Sequence, residues 1–357
     1  MVEQELSRYR LSHTLYTPAP ISALAFSQSG LLFAGSDDGS LRVYDLSSFK
    51  VCRAVHGLLA EISSIACSER PGSDLCDVWL ACGRQAYSFK MTSTKLVQTA
   101  ADATVLLQLC DADNEDDVLN ELALNPPKTH LAFCTDSGCV GVVDLSTQTV
   151  SRMKTGHSSI CGVVRFIPDR PRELVSGGYD STLLHFDFML GTVLSRRDIP
   201  LWPVADGISL SPPFVMSAAI ASGGTMAAGT ADGRLWLGFG GDKGGLTASA
   251  AKKKRSRKWE GLNSEDEHIE KVAEGPVVAM AFSAVSVLTL STLLGNVSQY
   301  QIFPQVNQKM QLVKIWEGKS GVTKVNSLAV DKERIVIAGL TGHAKGIIEI
   351  WSKDGSP

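Results

Sequence analysis

His157, Cys161 and Asp180 lie together in the stretch 156–188, "GHSSICGVVRFIPDRPRELVSGGYDSTLLHFDF". A thiol, an imidazole and a carboxylate are the residue set of a cysteine nucleophile with its base and orienting acid. Such a site also needs Cys161 within reach of His157 and donors for an oxyanion. Four residues apart at the start of a strand, the two side chains are expected to face different environments. The same residues fit a second chemistry, a hydrogen-bond chain that holds a turn, with Ser176 as a further member.

Other reactive patterns are weaker. The eight cysteines (Cys52, Cys67, Cys76, Cys82, Cys110, Cys134, Cys139 and Cys161) all fall in the first half, and none forms the CxxC pair of a zinc site. They read as reduced, buried strand residues. No phosphate-cradling GxxxxGK[ST] loop and no HExxH occurs. Asp37-Asp38 sits in a tight turn, where Asp is favoured for its local hydrogen bonds. No metal and no cofactor is expected.

The elements that would position these residues repeat along the chain. Residues 20–50 give three short alternating runs, ISALAFS, LLFAGS and SLRVYDL, broken by turns, and period-two alternation marks half-buried strands. The pattern returns at 61–90, 118–146 and 160–188, and in weaker form at 214–239, 276–303 and 322–352. Segments such as KVCRAVHG and GTVLSRRDI supply a fourth strand between copies. Four antiparallel strands every 40 to 50 residues, roughly, is the spacing of a propeller blade. The run YRLSHTLYT at 9–17 alternates as well, whereas the seventh copy ends at Trp351 without a fourth strand. Residues 9–17 are expected to fill that edge.

Asp38-Gly39, Tyr44-Asp45, Gly156-His157, Asp180 and Phe186-Asp187 stand where the WD40-repeat family places its turn Asp, its Gly-His and its Trp-Asp, so the chain resembles that family over nearly its whole length. The resemblance implies an all-β fold, a single seven-bladed WD40-type β-propeller over 1–357, closed by the N-terminal strand. It implies a buried structural network of His157, Ser176 and Asp180, with Phe186 in place of the usual Trp, and blade-turn aspartates at Asp38 and Asp232. The fourth unit is most similar to the WD repeat-containing protein 53 group, through His157-Ser158, Ile160-Cys161, Phe166, Pro168, Arg170-Pro171, Leu174-Val175-Ser176 and Asp180. That group resembles interaction scaffolds proposed as substrate receptors of cullin-type ubiquitin ligases. Such receptors carry Arg two positions after the Trp-Asp pair, where this chain has Ser47 and Met189.

The 357 residues are 44% hydrophobic, with 32 Gly and 14 Pro and a formal charge of −3, so no global field draws the chain to nucleic acid or an anionic membrane. The start lacks a secretory signal and no apolar run is long enough to span a bilayer, so the expectation is an intracellular protein of nucleus or cytoplasm. Residues 240–274 form a charged stretch expected to be a mobile loop inserted late in blade 5. Within it, Lys252, Lys253, Lys254, Arg255, Arg257 and Lys258 make a candidate nuclear signal, with solvated linker and nucleic-acid contact as alternatives. The acidic run from Asp111 to Asp117 reads as a solvated loop able to receive a basic tail. The reading is a noncatalytic, monomeric propeller binding protein partners within a larger complex, with no membrane target; a substrate receptor of a cullin-type ubiquitin ligase and a nuclear nucleic-acid-associated factor are the alternatives, nucleic acid being disfavoured by the overall charge.

Overall fold

The computed structural model describes residues 9–27, 29–69, 76–201, 211–240, 259–303 and 311–354. The strands fall into seven sheets in chain order. Blade 7 begins with the chain's first strand, β1 (Tyr9–Thr17). Blade 1 follows with β2 (Ile21–Phe26), β3 (Leu31–Ser36), β4 (Leu41–Asp45) and β5 (Lys50–His56). Blade 2 has β6 (Ile62–Glu69), β7 (Cys76–Cys82) and β8 (Gln85–Phe89); then β9 (Val97–Thr99) returns to blade 1 before β10 (Val105–Gln108) completes blade 2. Blade 3 is β11 (Leu119–Leu124), β12 (His130–Thr135), β13 (Val140–Asp144) and β14 (Thr149–Arg152), and blade 4 is β15 (Cys161–Phe166), β16 (Glu173–Gly178), β17 (Thr182–Asp187) and β18 (Thr192–Asp198). Blade 5 takes β19 (Val215–Ile220), β20 (Thr225–Thr230), β21 (Arg234–Phe239) and β22 (His268–Lys271), and blade 6 takes β23 (Val277–Ala284), β24 (Val287–Thr292), β25 (Asn296–Phe303) and β26 (Gln311–Lys319). Blade 7 ends with β27 (Lys324–Val330), β28 (Arg334–Leu340) and β29 (Gly346–Lys353).

Burial follows position in the blade. The second strands β3, β12, β16, β20 and β24 share one pattern, a half-buried first residue and then five buried ones, because each is covered on both faces by neighbouring blades. Such strands read as continuous apolar runs. The first strands alternate, as in BiBiii for β2, because one face lines the central channel. Outer strands such as β14 (TVSR) are largely exposed and polar.

Around the channel, side chains tie each blade to the next. Ser22 Oγ donates to the Ile62 carbonyl at 2.7 Å, Ser63 Oγ to Leu119 at 2.6 Å, and Asn120 Nδ2 to Cys161 at 3.0 Å. Ser217 Oγ reaches Val277 at 2.8 Å, and Asn326 Nδ2 closes the circle on Ile21 at 2.9 Å. A second layer repeats the logic with acceptors: Ser64, Glu121 and Ser327 take the backbone N–H of Leu122, Val164 and Leu24. Ser217 makes its tie from the Ser64 position, one residue further along; Gly162, Met216 and Val278 hold the position of Ser22 at the blade 4/5, 5/6 and 6/7 seams and have no polar side chain.

The ring closes as expected through β1, which pairs antiparallel with β29 from Tyr9↔Lys353 to Thr17↔Gly346. Ser12 Oγ adds a bond to the Ile350 carbonyl at 2.8 Å, and buried Tyr9 meets Trp316 edge-on at 5.3 Å.

The expectation of one mobile loop over 240–274 needs correction for its second part. Trp259 is 1% exposed and its indole N–H donates to the Gly224 carbonyl at 3.0 Å, so it is core. Glu267 takes bonds from Arg197 and, at 2.8 Å, from the Trp236 indole, and β22 is the fourth strand of blade 5. These contacts anchor 259–271. Residues 241–258, with the basic run Lys252 to Lys258, lie outside the described residues.

Deleting residues 1–17 leaves the long edge of β29 unpaired, and an open edge both weakens blade 7 and templates association. Thermal melts and light scattering should show a lower midpoint and aggregation; an unchanged melting curve would refute closure through β1.

Candidate functional site

The residues singled out in 156–188 meet at one corner of blade 4, where the loop from β14 arrives and β16 turns into β17. His157 is buried, its backbone N–H bound to the Gly138 carbonyl at 2.9 Å. Its Nδ1 lies 2.9 Å from Asp180 Oδ1 and its Nε2 lies 2.7 Å from Ser176 Oγ. Asp180 Oδ1 also accepts from the Thr182 hydroxyl at 2.8 Å, and Oδ2 accepts from the Ser158 N–H at 3.0 Å. With an ionised carboxylate at Nδ1, the proton belongs on Nδ1 and Ser176 donates to Nε2. The imidazole lies flat on Gly178, where a Cβ would stand 2.5 Å from Nδ1. Only glycine fits there.

Thr182 was not anticipated from the sequence. Its hydroxyl lies 3.1 Å from His157 Nδ1 and completes the cage around Asp180. Phe186, where the family places Trp, is fully buried among Cys161, Leu174 and Leu184 and contributes packing without a donor.

Burial disfavours ionisation at both His157 and Asp180, yet their partners outweigh it. Cys161 and Asp180 beside it raise His157 above its ordinary value. His157, with the Ser158 and Thr182 donors, lowers Asp180 below the usual carboxylate range.

Cys161 does not face a separate environment, contrary to the sequence expectation. Burial opposes ionisation of its thiol, but the neighbouring Cys134 thiol and the His157 imidazole lower its pKa below the usual thiol value. The thiol of Cys134 is pushed well up, chiefly by burial. Thiol, imidazole and carboxylate therefore stand close enough to influence one another's titration, but both ring nitrogens of His157 are already engaged, by Asp180 and Ser176. Access is what they lack: Cys161 is 0% exposed and its sulfur lies against the Val163 and Gly177 carbonyls, at 3.7 and 3.6 Å.

The two turn aspartates differ. Asp38 is exposed and caps its own turn through the Ser40 N–H at 3.1 Å. Asp232 builds a blade 5 version of the blade 4 corner, accepting from Thr230 Oγ1 at 2.5 Å and from Arg234 Nε at 2.7 Å. Arg234 is 2% exposed and ties this corner to the Pro200 carbonyl at 2.9 Å, taking the place of the histidine. In blade 3, buried Asp117 of the acidic run accepts from Ser137 N and Oγ, at 2.8 and 3.1 Å.

The central channel, about 460 Å³, carries Glu121, Arg165, Lys128 and Cys67 as its titratable lining groups. Glu121 pairs with Arg165 and holds the Val164 N–H at 2.8 Å. Among the described residues, no three His, Cys, Asp or Glu side chains come together as a metal site, and no helix is long and apolar enough to cross a membrane.

Residues 9–45 and 148–187 match the family model described as WD domain, G-beta repeat. The WD repeat-containing protein 53 homolog of Dictyostelium discoideum is 25% identical over 206 residues, which cover 52% of this chain and 52% of that protein. The chain thus spans about half the length of that curated relative. Among solved structures, the Myceliophteria thermophila Cps50 (Swd1) β-propeller domain superposes with a TM-score of 0.68 at 15% identity, over 97% of this chain and 99% of that one. That likeness shows a shared β-propeller fold.

The blade 4 corner has a pH signature. Because the Asp180 pKa is lowered on folding, its contribution is present above the ordinary carboxylate value and is lost as pH falls through the folded one. Because that of His157 is raised, its contribution is present below about 6.5 and is lost as pH rises through the folded value. Asp180→Ala should cost on the order of 1 to 3 kcal/mol near neutrality and flatten both limbs of the stability profile, read by melting curves between about pH 4 and pH 9. Equal melting curves for wild type and variant would overturn the structural reading of this corner.

Proposed function

From a seven-bladed β-propeller that carries WD40 repeats, we propose a noncatalytic protein-interaction scaffold that assembles or recruits partner proteins. One observation carries this reading: the side chains with catalytic potential are engaged in holding blades and turns together. Cys161 and His157 are sealed within the seam between blades 3 and 4, Asp180, Asp232 and Asp117 each fasten a turn, and Glu121 is bound to Arg165 and Val164. What remains for recognition is the outer surface, a set of loops and edges on a rigid ring. The ligase-receptor alternative gains no support at the two positions that matter. The backbone N–H groups of Ser47 and Met189 close Asx turns on Asp45 and Asp187, at 2.9 and 3.0 Å, and no arginine follows either pair.

Affinity capture of the full chain, followed by crosslinking and mass spectrometry, should return stoichiometric protein partners with crosslinks on loops and outer edges. Asp180→Ala should lose partners only in proportion to its unfolded fraction. A chain that runs alone at physiological concentration, or that turns over a substrate with Cys161 required, would sink the proposal.

The charged insertion supports a nuclear address on a closed base. Gly240 and Trp259 bracket 241–258 and touch, a Cβ at 240 falling within 1.5 Å of the indole nitrogen. A short Gly-Ser bridge in place of 241–258 should leave the melting temperature unchanged and move the protein from nucleus to cytoplasm. Trp259→Ala should cost about 3 to 5 kcal/mol. A bridged chain that stays nuclear would remove the address.

A further inference from the structure

Blade 2 departs from the repeat between its third and fourth strands. Where blades 1, 3 and 4 connect these strands through residues 46–49, 145–148 and 188–191, blade 2 uses 90–104, which cross to the outside of blade 1. There β9 adds to β5 as a parallel fifth strand, from Ala54↔Val97 to His56↔Thr99. The excursion is firmly built. Met91 and Gln98 are buried beneath it, Gln98 Nε2 donates to the Lys90 carbonyl at 3.2 Å, and Arg53 Nη1 donates to that of Ser93 at 2.7 Å. Asp102 Oδ2 gathers Lys95 Nζ at 2.5 Å, Thr99 N at 2.7 Å and Thr99 Oγ1 at 3.0 Å, led by the lysine, and these hold its carboxyl down to about 2.

What this frame presents is apolar. Leu96 is 57% exposed, Val97 49%, Leu106 on β10 53% and Val51 on β5 47%. Cations belong to the same elements: Lys50 at the start of β5 and Lys90 just past the end of β8 are exposed, with no ion pair among the described residues, and Arg53 lies on β5 with its guanidinium on the Ser93 carbonyl. The whole chain carries −3, whereas here three cations stand against one carboxylate outside the Lys95–Asp102 pair, that of Asp45 opposite Lys50. Among the described residues β9 has β5 as its one strand neighbour, and with the Thr99 N–H taken by Asp102 it is the backbone of Val97 that stands on the outer edge for main-chain pairing.

We propose that this side-wall platform docks an extended, acidic segment of a partner protein. Its apolar residues would rest on Leu96, Val97, Leu106 and Val51, its carboxylates would face Lys50, Lys90 and Arg53, and its backbone would add to the β9 edge. Strand edges favour a polypeptide over a lipid surface, which has no use for them. The surrounding positive charge favours acidic sequences over basic ones. The proposal rests on the protein-binding reading but is separable from it, since partners captured through other surfaces would leave that reading standing.

A random peptide library selected on the immobilised full chain and counter-selected on Leu96→Ser/Val97→Ser tests it. Enriched sequences should alternate apolar residues with Asp or Glu. A synthetic peptide from that set should bind at least about tenfold more weakly to the Ser variant and to Lys50→Glu/Lys90→Glu, and more weakly with added salt. The affected side chains are exposed, so both variants should melt with the wild type; the charge variant carries the test should the Ser variant fail to fold. Enrichment of basic or charge-free peptides, or equal binding to all three proteins, overturns the proposal. So does binding to phosphatidylserine vesicles, or self-association by sedimentation, that the same variants abolish while no acidic peptide is selected.

Discussion

Each blade is a small sheet with two apolar faces, and such a sheet is stable only if something covers both. A closed ring is the arrangement that gives every blade two neighbours, and the rest of the molecule follows from closing it. The side-chain ties around the channel mark the closure, from Ser22 on Ile62 to Asn326 back on Ile21. Each contributes on the order of 1 kcal/mol, so they set register more than they drive folding. Rings also cross the seams, both where the tie is present, as with His130 and Phe188 between blades 3 and 4, and where it is missing. Tyr179 stacks on Phe214 at 5.6 Å between blades 4 and 5, and Trp316 meets Trp351 edge-on at 5.8 Å between blades 6 and 7. Aromatic contact thus helps fix how neighbouring blades sit at seams of either kind.

Much of this was legible in the sequence because it is local. Strand, turn, strand is a short-range pattern, and seven copies of it fix the blade count. The family match begins at residue 9 on β1 and at residue 148 beside β14, each an outer strand of the preceding blade, and runs to the third strand of the next. The repeat is thus one strand out of phase with the blade, and an N-terminal strand left over at one end is the partner missing at the other. What escaped notice depends on distant pairing. Nothing in the residues Val97–Thr99 announces a parallel partner in β5. β22 hides in a charged stretch because HIEK is too short to show a period, and Trp259 looked like part of a polar loop because its pocket is assembled from blades 4 and 5. The influence of His157 on Cys161 escaped too, because strand alternation predicts which face a residue takes but not where the arriving loop folds.

The turn corners explain why the repeats look degenerate while the blades do not. Blade 4 fastens its turn with His157 on Asp180, blade 5 with Arg234 on Asp232, and blade 3 reverses the arrangement, its incoming loop offering Asp117 to Ser137 in the turn. The shared element is a carboxylate that fastens the turn: in blades 3 and 4 it joins the turn to the incoming loop, and in blade 5 Asp232 holds Arg234, which makes that bridge to the Pro200 carbonyl. Which residue donates is free, so a motif search that asks for histidine finds one blade and passes over its equivalents.

The same freedom separates scaffold from function. A side chain that fastens a seam is interchangeable in type but bound in place, and changing it alters stability before it alters recognition. The segments that the ring does not require are the ones where the chain departs from its own repeat: the excursion 90–104 and the insertion whose base is Gly240 and Trp259. A plain four-residue connection would complete blade 2 as it does blades 1, 3 and 4. Fifteen residues held by Asp102, Arg53 and Gln98 to display Leu96 and Val97 add exposed apolar surface that stability alone does not explain. In a ring of near-equivalent blades, an ordered departure of this kind is the physical trace of a surface with a use of its own.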